Sequence, residues 1–553
     1  MRSIAENTRS LKAFAVLLAG GFVLSWAELG AAQTAANVQV EVTKPINVMT
    51  LEAIGVYTDM YDARVTQPVI AQYLHATGIY TVRYPGGGGE GGYGSYPDLY
   101  HWATNSGTYY QNFKPEKTRF YAGENSMGHL AQFLDKLGTA VITVNYGSNA
   151  AGTGGGEPAE AAAWVAYANG DPNDARVIGK DSTGQDWKTI GYWATLRSQA
   201  SLPDDDGLNL LRANHPKPLG IKLWEIGSEV YKNGYYYGDY YGDHHDSEED
   251  LHAPYPASEK DNARRKKNPN LSPAFYGARV VEYAKAMKAV DPAIWIGASM
   301  ALAPLDYHFA PDWDSEVLKA ACGSIDFISL AWRPGDTLAP DYKVRDDDSV
   351  LRAPEEQLGK IFPEIVYNNK KYCPADHSPR VAFTQVAPIQ WPKIEHPIVD
   401  ALFAADAFAL LVESGTINSD WMELHDPSFL NENNQPGRGY YGIQMLHIVA
   451  FRPGDKFVAA TSNNSALAVH AIQRSDGSLG ILLINKDGKN AVDVKVKIAG
   501  GSYASTGLRF DYGQETLKAG GPIAKSPVKD LGAAFTVSVP AYSLTDIVIP
   551  KAQ

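Results

Sequence analysis

The chain has 553 residues, 44% hydrophobic and 20% charged, with a formal net charge of −13. That length exceeds the usual single core and predicts one large domain with a smaller companion, in a composition ordinary for a soluble globular protein. The acidic balance argues against nucleic acid and anionic membrane as partners, because binders of phosphate carry basic patches.

The first 32 residues read as a secretory signal peptide. Arg2, Arg9 and Lys12 form a basic start, Ala13 to Trp26 is apolar and short for a membrane span, and Gly30-Ala31-Ala32 supplies small residues for cleavage. This predicts an exported protein, periplasmic or extracellular. Alternation from Val38 to Met49 predicts a strand.

A repeating pattern of short apolar strand, loop and helix then sets in. Strands are expected at Ala53–Tyr57, Thr81–Tyr84, Ala140–Tyr146, Lys222–Ile226, Trp295–Ala301, Ile325–Trp332, Arg380–Gln385 and Ile417–His425. Helices are expected at Met127–Leu137, Pro158–Asn169, Ser272–Val290 and Ile398–Ser414. Pro158 opening a helix and Gly170 following its end fit the asymmetry of helix termini. Eight strands alternating with helices predict an α/β (β/α)₈ barrel over residues 50–445. Polar residues at the strand ends favour it over a doubly wound sheet.

From 446 to 553 the texture changes to short strands separated by Gly, Asn, Asp and Ser turns: Phe457–Ala460, Ala466–Gln473, Leu479–Asn485, Val492–Ile498, Phe535–Val539 and Thr545–Ile549. An antiparallel β-sandwich is expected there, with the segment at 36–49 as a candidate extra strand. The two cysteines, Cys322 and Cys373, either pair or stay as buried thiols. The charged loop Asp239–Lys267 reads as a surface excursion. Its run Asp243, His244, His245 and Asp246 is a poor metal site, since consecutive residues rarely converge on one ion. No metal and no cofactor are expected.

A barrel of this kind builds its site at the C-terminal ends of its strands. Read there, the residues are Tyr57 and Asp59, Arg83, Asn145, Ser228 with Glu229, Trp332 with Arg333, Gln385, and Trp421, Glu423 and His425. With Tyr235 in the aromatic loop after Glu229 and a chain rich in rings (32 Tyr, 11 Trp), the mouth suits a carbohydrate ligand. Gly86–Gly94 and Gly152–Gly156 lack the lysine of a phosphate cradle, and the latter reads as a flexible lid before Pro158.

Several motifs carry a resemblance. Arg83-Tyr84-Pro85-Gly86-Gly87 followed by Asp98-Leu99-Tyr100-His101-Trp102, then Val144-Asn145-Tyr146-Gly147, Leu223-Trp224-Glu225-Ile226-Gly227-Ser228-Glu229, Ala401–Asp406 with Glu413-Ser414-Gly415, and Leu483-Ile484-Asn485-Lys486 run through nearly the whole mature chain. Together they resemble the α-L-arabinofuranosidase-like glycoside hydrolases of clan A. The resemblance implies a barrel followed by a β-sandwich, Glu229 as acid/base on the fourth strand, and a nucleophile at the end of the seventh. It implies sugar contacts from Tyr57, Arg83, Asp98, Trp102, Asn145, Ser228, Tyr235, Trp332, Trp421 and His425.

The departures cluster at the reacting centre. Retaining hydrolysis needs two carboxyl groups about 5 Å apart, yet the nucleophile position is Gln385. The asparagine expected before the acid/base is Ser228, and the sixth-strand His-x-Tyr is Ala331-Trp332-Arg333. Loss of an essential nucleophile removes several orders of magnitude in rate, so a glycan binder derived from a hydrolase is expected. The alternative is an active hydrolase in which Glu423 or Glu90, with Asp59 behind them, supplies a relocated base. The plainer role for Glu423 is a hydroxyl contact or an ion pair with an arginine such as Arg333.

Overall fold

The computed structural model describes residues 35–552 apart from 87–96, 108–109, 112–113, 116–118, 233–234, 237–238, 241–267, 302–311, 337–343, 389–394, 451 and 519–522. The expected signal peptide, Glu90 and nearly all of the 239–267 loop lie outside the described residues, as do the side chains of Asp98 and Tyr235.

The first strand, β1 (Ala35–Val48), belongs to the C-terminal sheet. The next eight major strands are β2 (Gly55–Tyr57), β3 (Thr81–Tyr84), β4 (Thr139–Val144), β5 (Leu223–Ile226), β6 (Trp295–Ser299), β7 (Phe327–Trp332), β8 (Arg380–Val386) and β9 (Asn418–Trp421). All pair in parallel, and β2 joins both β3 and β9, closing a barrel. Between and after them run α1 (Pro68–Ala76), α2 (Met127–Leu137), α3 (Pro158–Asn169), α4 (Ile190–Ser198), α5 (Pro273–Val290), α6 (Trp313–Ala321), α7 (Asp347–Tyr372), α8 (Val399–Glu413) and α9 (Arg438–Val449). The expected barrel is present. The eighth strand stops at Trp421, short of His425, because Asp426 turns the chain: its carboxylate accepts the backbone N–H of Glu423 at 3.0 Å and of Phe429 at 3.1 Å.

The segment 152–156, read from the sequence as a flexible lid, is a hydrogen-bonded turn. Asn149 Oδ1 accepts Thr153 N at 3.0 Å, Gly156 N reaches Tyr146 O at 2.6 Å, and Arg279 donates to Gly156 O at 2.8 Å. A Cβ on Gly156 would fall 2.6 Å from both Asn145 O and Tyr283 Oη, so only glycine fits. Cys322 and Cys373 form a disulfide, with Cα atoms 5.4 Å apart, tying the end of α6 to the end of α7.

The C-terminal unit adds β10 (Lys456–Ser462), β11 (Leu467–Gln473), β12 (Leu479–Asn485), β13 (Val492–Ala499), β14 (Thr506–Gly513), β15 (Ala524–Lys529), β16 (Ala534–Val539) and β17 (Ser543–Ile549). With β1 they form one nine-stranded sheet, ordered β15-β14-β17-β12-β11-β10-β1-β13-β16. It is antiparallel except where β1 runs parallel to β13. Contacts of β16 with β12 and β17 fold the sheet over a core that includes Val38, Val40, Ile481, Leu483, Val494 and Ile547.

Barrel and sheet are joined by a buried charge cluster. His470 on β11 contacts Glu413 at 2.9 Å and Asp406 at 3.0 Å, both on α8. Lys486, just past β12, reaches Asp406 at 2.7 Å. Burial opposes the His470 charge, yet Glu413 and Asp406 outweigh it and hold the imidazole at about 10. The motif residues Asp406, Glu413 and Lys486 are therefore the mortar between domains. Removing one partner leaves a buried charge exposed to the low-dielectric interior, so His470→Ala should cost about 3–5 kcal/mol in denaturant unfolding. The pH dependence has a defined sign. The folded-state pKa is raised, so this stabilisation is complete below the unfolded value of about 6.5 and is lost as pH rises through about 10. His470→Gln should flatten that decline.

Candidate functional site

Three strand ends converge at the barrel mouth. β5 ends in Ile226, and the chain turns through Gly227 (φ +66°) into Ser228 and Glu229. A Cβ on Gly227 would meet Val230 Cγ2 at 2.5 Å, so the turn requires glycine. Glu229 itself is left-handed (φ +48°), a conformation that costs a non-glycine residue of order 1–3 kcal/mol. That geometry aims its carboxylate inward.

Glu229 is crowded by donors. Arg333, following β7, places Nη2 at 2.7 Å from Oε1 and Nη1 at 3.4 Å from Oε2. Lys232 Nζ lies 2.6 Å from Oε1, and Tyr231 Oη donates to it at 3.1 Å. Burial raises the carboxyl pKa, but Arg333 and Lys232 together overturn that and hold it well below the usual range. Glu229 is a carboxylate at every ordinary pH, with its acceptor oxygens engaged.

Gln385 stands on the other side of the same guanidinium. Arg333 Nη1 also donates to Gln385 Oε1, while Gln385 Nε2 donates to Ser228 Oγ at 3.2 Å. The amide thus has its oxygen on Arg333 and its nitrogen on Ser228, an arrangement in which residues 228, 333 and 385 satisfy one another. A bulge makes this possible. β8 slips by one residue against β7, so that Phe383 pairs with Leu330 but Gln385 pairs with Ala331. Thr384 and Gln385 both turn inward as a result: Thr384 Oγ1 donates to Glu225 at 3.2 Å.

The other expected residues divide into groups. Arg83 is fully buried beneath the mouth, its fork on Glu225 at 2.8 and 3.0 Å and its guanidinium 4.8 Å from the buried Tyr57 ring. Trp102, Trp332 and Trp421 are each 0–1% exposed. Trp102 stacks on Trp164, with its N–H on Glu160 O at 3.2 Å. Trp332 donates to Gln357 at 2.9 Å, and Trp421 to Asp426 at 3.2 Å. Expected as sugar contacts, Arg83 and these three indoles are buried instead: the indole N–H groups and two of the Arg83 nitrogens, Nε and Nη2, turn to protein partners inside the fold. Asn145 is spent on its own loop and a neighbouring segment, bonding Ser148 N at 3.0 Å and Tyr100 O at 3.2 Å. His425 is held between Asp62 and Asn434 Oδ1, the latter at 2.7 Å.

Glu423 follows β9 and is half-buried. Burial, then the carboxylates of Asp59, Asp426 and Asp62, push it up to about 8, so it is neutral at pH 7. Among the described residues it forms no ion pair; the arginine considered for that role, Arg333, is committed to Glu229.

The sequence reading passed over Lys232 and Glu160. Lys232 follows Glu229 at i+3, a spacing that could have flagged it. The Glu160 carboxylate accepts from His101 Nδ1 at 3.0 Å, and His101 Nε2 meets Ser148 Oγ at 3.2 Å. That order mimics a nucleophile, base and orienting acid, but Ser148 is fully buried and the trio fastens the mouth's loops to α3.

No sequence-family model matches the chain, and no curated protein matches it by sequence. Solved structures match its fold. The α-L-arabinofuranosidase of Thermotoga maritima, solved with arabinose, aligns over 94% of this chain and 100% of its own at a TM-score of 0.63 and 16% identity. A family 51 α-L-arabinofuranosidase from Bifidobacterium longum gives 0.62 at 14%, and a family 44 xyloglucanase from Paenibacillus polymyxa 0.60 at 14%, each over 94% of this chain and 100% of its own. The barrel with its C-terminal sheet is the fold of these clan A glycoside hydrolases.

Arg333→Met should release Glu229. Its carboxyl resonance, followed by ¹³C NMR in labelled protein, should titrate at higher pH than in the wild type; an unchanged titration would remove Arg333 as the cause.

Proposed function

We propose that this is an exported glycan-binding protein built on an arabinofuranosidase-like hydrolase barrel, recognising plant-type or cell-wall glycans and impaired in retaining hydrolysis. The carrying observation is the Arg333 guanidinium bridging Glu229 and Gln385. A retaining acid/base must hold a proton for the leaving oxygen and face a nucleophilic carboxylate. Here the acid is kept ionised by two cations and the partner is an amide. The signal-like start and the Cys322–Cys373 disulfide support an oxidising, exported setting.

The test is release of aryl alcohol from an activated aryl α-L-arabinofuranoside. The wild-type protein should show no turnover beyond a Glu229→Gln control. Gln385→Glu alone should restore little, because the new carboxylate would enter the reach of Arg333 as an ion pair instead of standing ready to attack. Strong activity in that variant would sink the binder reading.

One observation favours a second reading, an active hydrolase. Glu423 is half-buried and neutral near pH 7 while Glu229 is ionised. In such an enzyme Glu423 would protonate the leaving group and Glu229 would act as the base, reversing the roles expected from the resemblance. Turnover would then fall as pH rises through about 8, and Glu423→Gln would abolish it. Parental turnover in Glu423→Gln would eliminate this route.

A further inference from the structure

The middle of this barrel is polar, where such barrels are usually filled by branched aliphatic side chains. Its lower layer is apolar, with Val141, Leu223, Phe327 and Ala382 clustered together. Two residues further along each strand, the period of two brings Thr143, Glu225, Ser329 and Thr384 to the same interior face. Arg83, paired with Glu225, and Asp420 complete this ring. Glu225 is well satisfied, taking both arms of Arg83 and the hydroxyls of Thr143 at 3.1 Å and Thr384 at 3.2 Å.

Four buried atoms, three in the ring and one on Asn418 just below Asp420 on β9, have no hydrogen-bond partner among the described residues: Arg83 Nη1, Ser329 Oγ, Asn418 Oδ1 and Asp420 Oδ2. The set mixes a charged donor, a hydroxyl, an amide oxygen and a carboxyl oxygen. Leaving each unsatisfied would cost about 1–3 kcal/mol, which is why buried polar atoms in folded proteins are nearly always paired. A metal cation is disfavoured by the Arg83 guanidinium, and an anion would leave the Asn418 acceptor without a donor. Water both donates and accepts, and a buried water typically makes two to four such bonds.

We propose that ordered water occupies this middle layer, bridging Arg83 Nη1 to Asp420 and Asn418 and forming a hydrated floor under the mouth. Gly55 makes the arrangement possible: a Cβ there would lie 2.0 Å from Asp420 Oδ1, so the carboxyl takes the place of a side chain on β2. Asn418 Nδ2 holds that oxygen at 3.0 Å, leaving Oδ2 to face the layer. The groups around Asp420 are Asn418, Arg83 and Glu225, with Tyr57 beyond Arg83. Burial and Glu225 push Asp420 up while Asn418 and Arg83 oppose, leaving it at about 8. It is therefore a neutral acid at pH 7, with a proton for Oδ2 to donate into the layer.

A crystal structure of the exported protein, grown near pH 6 at a resolution that shows solvent, tests this directly. Water within about 3.2 Å of Arg83 Nη1 and of Asp420 Oδ2 is expected; a dry layer, or Arg83 in direct contact with Asp420, would overturn it. Thermal unfolding of wild type and Asp420→Asn across pH 5–9 tests the proton. Because the folded-state pKa of this acid is raised, wild type should lose stability relative to the variant as pH rises from about 4 towards 8, and no further above that. Parallel curves would mean an ionised Asp420 and would contradict the scheme. If the variant fails to fold, the solvent structure of the wild type still decides.

Discussion

A carboxylate taken out of water must be paired or neutralised, and the way Glu229 meets that requirement governs the mouth of this barrel. Arg333 supplies the compensating charge. To do so its guanidinium comes to lie between the ends of the fourth and seventh barrel strands. Once it is there, a carboxylate at position 385 would compete with Glu229 for the same cation, whereas an amide accepts from Arg333 and donates to Ser228. Residues 228, 333 and 385 are one arrangement seen from three positions. Lys232 deepens it, because two cations on one acid make protonation at neutral pH costly.

The rest of the polar sequence signature does different work. Arg83 and Glu225 form a fully buried bidentate pair below the mouth, and Asp406, Glu413, His470 and Lys486 bind the barrel to the C-terminal sheet. Pairs of this sort are expensive to break singly, since the surviving partner is left charged and buried. The fold they help hold together matches that of solved arabinofuranosidases at 14–17% identity.

Periodicity made the fold legible. Strands buried on both faces, separated by amphipathic or fully apolar helices, marked the barrel, and two helices, Met127–Leu137 and Pro158–Asn169, fall where the sequence put them. Three features resisted the same reading. α7 carries Pro354 and Pro363, residues that normally interrupt a helix, yet runs through both. β14 is half-exposed and β15 almost wholly exposed, with little apolar alternation to announce them. The bulge on β8 is invisible to a period-two rule, which would have sent Thr384 and Gln385 to opposite faces. At the site, the changed residue types were readable but their coupling was not. Nothing in the spacing of Glu229, Arg333 and Gln385 says that one guanidinium touches both others. The aromatic content pointed to sugar-binding walls, whereas Trp102, Trp332 and Trp421 pack inside the protein.

The account stands on a glycan being held by this mouth and left whole. The direct measurement is to incubate the purified protein with arabino-oligosaccharides and follow calorimetric binding and product composition in the same samples, with Glu229→Gln alongside. Saturable binding with every oligosaccharide recovered at its starting length is the predicted result. Shortened products from the wild type that are missing with Glu229→Gln would contradict it, showing that the barrel still cuts.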